Sequence, residues 1–313
     1  MSDAFVFPGQ GSQAVGMGRD LAQAFACARE VFEEVDEALG QHLSRLMFEG
    51  PETDLTLTEN AQPALMAMSM AVVRVLEREG KFVLSERGRF VAGHSLGEYS
   101  ALAAAGSIPL GVTARLLRTR GQAMQRAVPV GEGAMAALVG ADLAVAESIA
   151  RDAADGEVCE AANDNAPDQV VISGTRAAIE RAIAIAKERG VKRALLLPVS
   201  APFHSSLMAP AAHVMEEALG NAPVATPNLP VIANVTAAPV TEPNEIRRLL
   251  VAQVTGRVRW RESVLAMKEA GVTRVIEIGA GKVLAGLARR IDRDLNAVSL
   301  GTPADIEAFL KAL

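Results

Sequence analysis

Residues 93–106, GHSLGEYSALAAAG, constrain this chain more than any other stretch. The residues before them, RFVA, read as a short buried strand. Those after Ser95 are rich in good helix formers and free of proline. Glycines stand two places before and two places after the serine, which gives G-x-S-x-G between a strand and a helix, the nucleophile-elbow arrangement. A turn that sharp strains the serine backbone, and strand and helix can approach only if the flanking positions are small. It would expose the serine oxygen above the free N–H groups of a helix N-terminus, where a developing oxyanion is stabilised. The same five residues could instead form a plain turn, so the rest of the chain must supply the decision.

The surroundings suit an elbow. AFVF (4–7) reads as a buried strand, followed by the glycine-rich loop PGQGSQ and a helical region from about Met17. ALMAMSMAVVRVLERE and 109–127 read as helices, and RVIEIG (274–279) and NAVSL (296–300) as further strands, each with a helical segment behind it. Such alternation predicts an α/β fold with a largely parallel sheet, α/β-hydrolase-like at its elbow. The middle has another rhythm. AMAALVG (134–140) reads as a strand and LAVAESIARDAA as a helix. EVCEAAN (157–163) and QVVISG (169–174) read as strands parted by the turn-rich DNAPD, then RAAIERAIAIAKERG as a helix and KRALLLPVS as a strand. This β-α-β-β-α-β order predicts a ferredoxin-like subdomain at 129–198, inserted into a large subdomain made of 1–128 and 199–313.

With 313 residues the chain is long for one core, in keeping with two subdomains. Thirty-one Lys and Arg stand against 37 Asp and Glu, a formal charge of −6, which argues against a nucleic-acid partner. Cys27 and Cys159 lie far apart and form no C-x-x-C, as expected of reduced thiols in the cytoplasm. No secretion signal is visible in MSDAFVFPGQ, and PALMAMSMAVV is too short to span a bilayer, so no membrane role is expected.

A serine nucleophile needs a base, and the chain has four histidines. His94 adjoins Ser95, but adjacent side chains on an elbow diverge, which favours a structural role. His42, in QHLSRL, and His213, in AAHVMEEAL, read as solvated residues. His204 stands in VSAPFHSSLM just beyond a strand, where sites gather in α/β proteins, and is the candidate base. No carboxylate lies near it in sequence; a distant carboxylate or a backbone carbonyl could orient it, and the residues alone do not choose.

Five segments then occur in one order: FVFPGQGSQ, GHSLGEYSAL, R-G-x-x-M at Arg120–Met124, SAPFHSSLM and EIGAGKVLAGL. Together, and over essentially the full length, the chain resembles the malonyl-CoA:acyl carrier protein transacylases of bacterial fatty acid synthesis. The resemblance implies a Ser95–His204 dyad that passes a malonyl group from malonyl-CoA to the phosphopantetheine thiol of an acyl carrier protein, through a malonyl-serine ester. It implies that the Gln253 carbonyl holds the histidine, and that the backbone N–H groups of Gln10 and Leu96 form the oxyanion hole. Arg120 would meet the malonyl carboxylate with paired hydrogen bonds, beside Gln62. Phe203, just before the histidine, fits a malonyl donor. No metal or bound cofactor is implied, and nothing demands more than a monomer.

Neither PGQGSQ nor the G-A-G-K at 279–282 continues as a phosphate-binding P-loop. An acidic carrier protein would need a local positive patch, for which KERGVKR (187–193) with Arg115 and Arg118 is the candidate. Two rival readings remain. A thioesterase would share Ser95 and His204 but have no reason for Arg120. A non-catalytic carrier-docking subunit would not need the dyad.

Overall fold

The computed structural model describes residues 2–313. Among them ten strands form two sheets: β1 (Asp3–Phe7), β2 (Gly88–Gly93), β3 (Gly133–Val139), β4 (Cys159–Ala166), β5 (Gln169–Thr175), β6 (Arg193–Leu196), β7 (Val231–Ala233), β8 (Ala238–Val240), β9 (Arg274–Ile278) and β10 (Asn296–Leu300). The larger sheet runs β10-β9-β1-β2-β7-β8, parallel throughout except that β8 joins β7 antiparallel. The smaller runs β4-β5-β3-β6 and is antiparallel throughout. The chain is thus mixed α/β, with a parallel-rich sheet and a separate antiparallel one.

The central strand β1 is apolar along its length because both its faces are covered. Phe5 and Phe7 point into a core shared with the helices Thr58–Arg78 and Leu110–Ala127. Ala4 and Val6 point the other way, onto Trp260, Val264 and Leu284. The small sheet buries Ala134, Ala136 and Leu138 against the helices Leu143–Ala154 and Arg176–Glu188. Its opposite face, carrying Met135 and Ala137, turns toward the main body. The space between that face and the carboxyl ends of β1 and β2 becomes the cleft.

Two departures from the sequence expectation have a physical reason. The tract DNA (164–166) was expected to lie in a turn, but it extends β4 to Ala166 and leaves only Pro167 and Asp168 to connect β4 to β5. Its polar side chains are satisfied by the main body rather than by water. Asp164, wholly buried, takes Arg261 Nε on both carboxylate oxygens at 3.1 and 3.0 Å. Asn165 Oδ1 lies 2.8 Å from His94 Nε2, and the backbone of Ala162 and Asp164 exchanges hydrogen bonds with Val258. Asn163 is thereby held in a parallel bridge to Val258. The strands β7 and β8 had no expectation at all. They are three residues each, too short for any alternation to register.

Candidate active site

The loops that follow β1, β2 and β7 leave adjacent parallel strands at one edge of the sheet, where α/β proteins collect their chemistry. The elbow after β2 is held by sterics. A Cβ on Gly93 would lie 1.9 Å from the Gly97 carbonyl, and one on Gly97 would lie 2.2 Å from Phe7 O. Both positions are therefore closed to any side chain. Between them Ser95 takes φ +53°, a left-handed conformation that costs a non-glycine residue about 1–3 kcal/mol. Asn234, immediately after β7, offsets part of that strain. Its Oδ1 accepts the Ser95 N–H at 2.8 Å, while its Nδ2 donates to Gly93 O at 2.7 Å.

His204 comes from the segment beyond β6 and also has a positive φ, +57°. The buried Ser205 hydroxyl donates to Pro202 O at 2.7 Å and fixes this turn. His204 Nε2 lies 2.7 Å from Ser95 Oγ. Its Nδ1 lies 2.9 Å from Gln253 O and 3.1 Å from Gly256 O. Two carbonyls can only accept, so Nδ1 carries the proton and Nε2 keeps a lone pair for the serine hydroxyl. The choice between a carboxylate and a carbonyl partner is resolved in favour of carbonyls. Gly256 is a second one that the sequence reading did not name.

Burial, followed by the nearby Arg120 and His94, pushes the His204 imidazole down to about 3, against the pull of the two carbonyls. It is therefore neutral and able to accept a proton throughout the physiological range. The kcat/KM for acylation should accordingly show no histidine limb between pH 8 and 6, because it reports the free enzyme. A fall centred near pH 6.5 that persists in Glu98→Gln would show that the imidazole titrates like an ordinary one. The Glu98 variant removes the other group able to titrate there, since burial pushes that carboxyl up to about 7.

Arg120 is 1% exposed, on the helix Leu110–Ala127. The next residue, Gly121, allows this helix to touch the start of Thr58–Arg78, since a Cβ there would lie 2.6 Å from Glu59 Cα. Arg120 Nη1 consequently donates to Gln62 Oε1 at 2.8 Å. Its Nη2 donates to Gln253 Oε1 at 2.8 Å and to Ser95 Oγ at 3.0 Å, and its guanidinium stands 5.7 Å over the Tyr99 ring. No carboxylate forms an ion pair with it among the described residues. A buried cation beside a serine hydroxyl, with only neutral hydrogen-bond partners, is left without the carboxylate that would pair with it best.

Ser95, His204, Arg120 and Gln62 line a cleft of about 780 Å³ that also presents Gln10, Leu96, Met124, Asn163 and Phe203. The backbone N–H groups of Gln10 and Leu96 donate to no acceptor among the described residues. His94 does not reach the serine; its Nε2 is engaged by Asn165, and its ring lies beside Trp260. His42 and His213 are exposed.

The remaining motif, EIGAGKVL, has a structural explanation. Glu277 accepts the N–H groups of Leu284 at 3.1 Å and Ala285 at 2.9 Å, so its carboxylate occupies the N-terminus of the helix Val283–Ile291 where a phosphate would have to sit. Within the candidate basic patch, Arg189 is engaged with Asp152 and Ser148, and Arg118 lies near Glu59.

A family model described as the acyl transferase domain matches residues 4–299. The chain belongs to the acyl transferase family. It is 44% identical over 311 residues to the malonyl CoA-acyl carrier protein transacylase of Bacillus subtilis strain 168, covering 99% of this chain and 96% of the relative. The acyl transferase fold matches the crystal structure of acyl-carrier-protein-S-malonyltransferase from Bartonella henselae with a TM-score of 0.97 and 56% identity, over 100% of this chain and 99% of that one. It also matches a malonyl-transacylase in complex with a type II PKS acyl-carrier protein, with a TM-score of 0.96 and 41% identity over the whole of both chains.

Proposed function

We propose that this chain transfers a malonyl group from malonyl-CoA to the phosphopantetheine thiol of an acyl carrier protein, supplying fatty acid biosynthesis. The observation that carries the reading is Arg120: buried, without an anionic partner among the described residues, and 3.0 Å from Ser95 Oγ. An acyl group that ends in a carboxylate would supply the missing charge at the end of a group bonded to that oxygen.

Ser95 Oγ attacks the thioester carbon while its proton passes to His204 Nε2. The resulting oxyanion lies toward the N–H groups of Leu96 and Gln10. The C–S bond breaks, and coenzyme A leaves with the proton from His204. The carrier thiol then gives its proton to His204 and attacks the serine ester, and Ser95 recovers its proton as it leaves. Each half-reaction uses the dyad once in each direction, and the scheme draws on no metal or bound cofactor. Brief mixing with malonyl-CoA in the absence of carrier should add one malonyl group to the intact mass. Release of coenzyme A with no adduct would point to a thioesterase, and neither event to a scaffold.

The architecture supports a finer reading. The order of β3 to β6 with their two helices fits a ferredoxin-like subdomain at 129–198, inserted in an α/β-hydrolase-like subdomain of 1–128 and 199–313. The chain would act as a cytoplasmic monomer, without nucleic-acid or membrane partners. Lys187, Lys192 and Arg193, exposed at the edge of the smaller sheet, are the part of the basic patch that remains for an acidic carrier. Reversing their charge should raise the KM for the carrier and leave that for malonyl-CoA unchanged. An unchanged carrier KM would remove this surface from the docking site.

A further inference from the structure

Beneath the elbow lies a buried carboxyl that the transfer itself does not use. Glu98 is 2% exposed, forms no ion pair among the described residues, and accepts two hydrogen bonds on Oε2. One comes from the Asn234 N–H at 3.0 Å, the other from Gln253 Nε2 at 2.8 Å. The same Gln253 nitrogen donates to Ser95 O at 2.9 Å, so both of its protons are engaged. That leaves Gln253 Oε1 to receive Arg120.

The amide therefore has one workable orientation. Turned over, Gln253 would set its oxygen against Ser95 O, an acceptor, and against the Glu98 oxygen that already accepts from Asn234, and its NH₂ against the Arg120 guanidinium, a donor. Two of the three hydrogen bonds that hold Arg120 in place end on Gln253 or on Ser95, and Glu98 sits behind both. The next residue on the same helix, Tyr99, lays its ring under the guanidinium.

We propose that Glu98 is a specificity-determining positioning residue: by locking the Gln253 side-chain amide it aims Arg120 at the acyl end of the Ser95 pocket and so sets the preference for acyl groups that end in a carboxylate. The inference rests on the malonyl-transfer reading. It requires an acceptor at Glu98, not a charge, since the carbonyl oxygen of a protonated acid or of an amide can also accept from Gln253.

The test compares wild type with Glu98→Gln, Glu98→Met, Gln253→Met and the double Met variant. One readout is the ratio of malonyl to acetyl adduct formation rates by intact mass. The other is labelling of Ser95 by an uncharged alkyl fluorophosphonate, which has no carboxylate for Arg120 to grip. Glu98→Met should lower the malonyl-to-acetyl ratio by about 10- to 100-fold, the effect of losing a hydrogen bond that serves a charged group, and leave labelling unchanged. Glu98→Gln should keep both. Gln253→Met, which retains the backbone carbonyl for His204, should reproduce the loss, and the double variant should be no worse than either single one.

Additive losses, an unchanged ratio, or a fall in labelling with the ratio intact would each overturn the proposal. So would a Gln variant as impaired as the Met variant. If Glu98→Met does not fold, Gln253→Met reads the same amide with Glu98 in place. A wild type that is labelled by the phosphonate but takes no malonyl group overturns the transfer reading itself, before any variant is needed.

Discussion

Ser95→Ala is expected to abolish the malonyl adduct and to lower transfer by about 10⁴- to 10⁶-fold, the range seen when a hydroxyl nucleophile is removed from a site that keeps its oxyanion donors. Those donors do not depend on the serine side chain. Leu96 N–H and Gln10 N–H belong to backbone held by the glycine contacts of the elbow against the carboxyl end of β1, so some binding and polarisation should survive. His204→Ala should cost nearly as much, because without Nε2 the hydroxyl keeps its proton, and Arg120, a donor to the same oxygen, cannot take it. The double variant should then be scarcely slower than either single one. Single-turnover transfer to carrier thiol measures all three. Losses that multiply would mean that the two residues act independently, and the dyad would be wrong.

Arg120→Ala should leave Ser95 acylable but blind to the far end of the acyl group. A malonyl carboxylate placed near 4 Å from a guanidinium in this dry surrounding gains about 4 kcal/mol at an effective dielectric of 20, close to a thousandfold. The kcat/KM for malonyl-CoA should fall by about that factor, while acetyl-CoA, which in the wild type leaves a buried cation unpaired, should hold steady or improve. Arg120→Lys should not restore the preference. An ammonium cannot reach Gln62 and Gln253 and still offer a flat pair of donors to a carboxylate. Adduct formation from the two thioesters, compared by intact mass, gives the ratio directly. A malonyl-to-acetyl preference that survives in Arg120→Ala would assign the discrimination to another part of the cleft.

Much of this arrangement was legible before any coordinates. The elbow announces itself because its requirement is local: Gly93, Ser95 and Gly97 lie within five residues, and the steric demand acts between their own strand and helix. Helices such as Thr58–Arg78 and Leu110–Ala127 and the longer strands were legible for the same reason, since burial of one face writes a short period into neighbouring residues, whereas Pro243–Thr255 and Trp260–Glu269 were not named. His204 could be picked out by its place beyond a strand. Arg120 could not be separated from other helical arginines by its surroundings in sequence; only the resemblance singled it out.

What escaped were residues whose roles are defined by partners far along the chain. DNA (164–166) has turn chemistry on its own, but partners at Arg261, Val258 and His94 pull it into β4. Asn234 and Glu98 carry no local mark, and neither was named. Their function depends on meeting Ser95 and Gln253 across 136 to 158 positions of chain. No motif can encode such a meeting. The elbow G-x-S-x-G-E and an asparagine after a three-residue strand become a network only when β2 and β7 lie side by side.

From the order of its residues alone, this chain determined where a strained serine must stand, which segments alternate as strand and helix, and which histidine lies in a loop able to reach the serine. Those properties follow from short-range sterics and periodic burial. The tertiary structure alone decided that His204 Nδ1 lies against two carbonyls, that Arg120 is buried with no carboxylate paired to it among the described residues, and that Gln253 joins both to a buried acid. Desolvation and hydrogen-bond geometry depend on what the rest of the fold places around a group, and a sequence carries that only once it is folded.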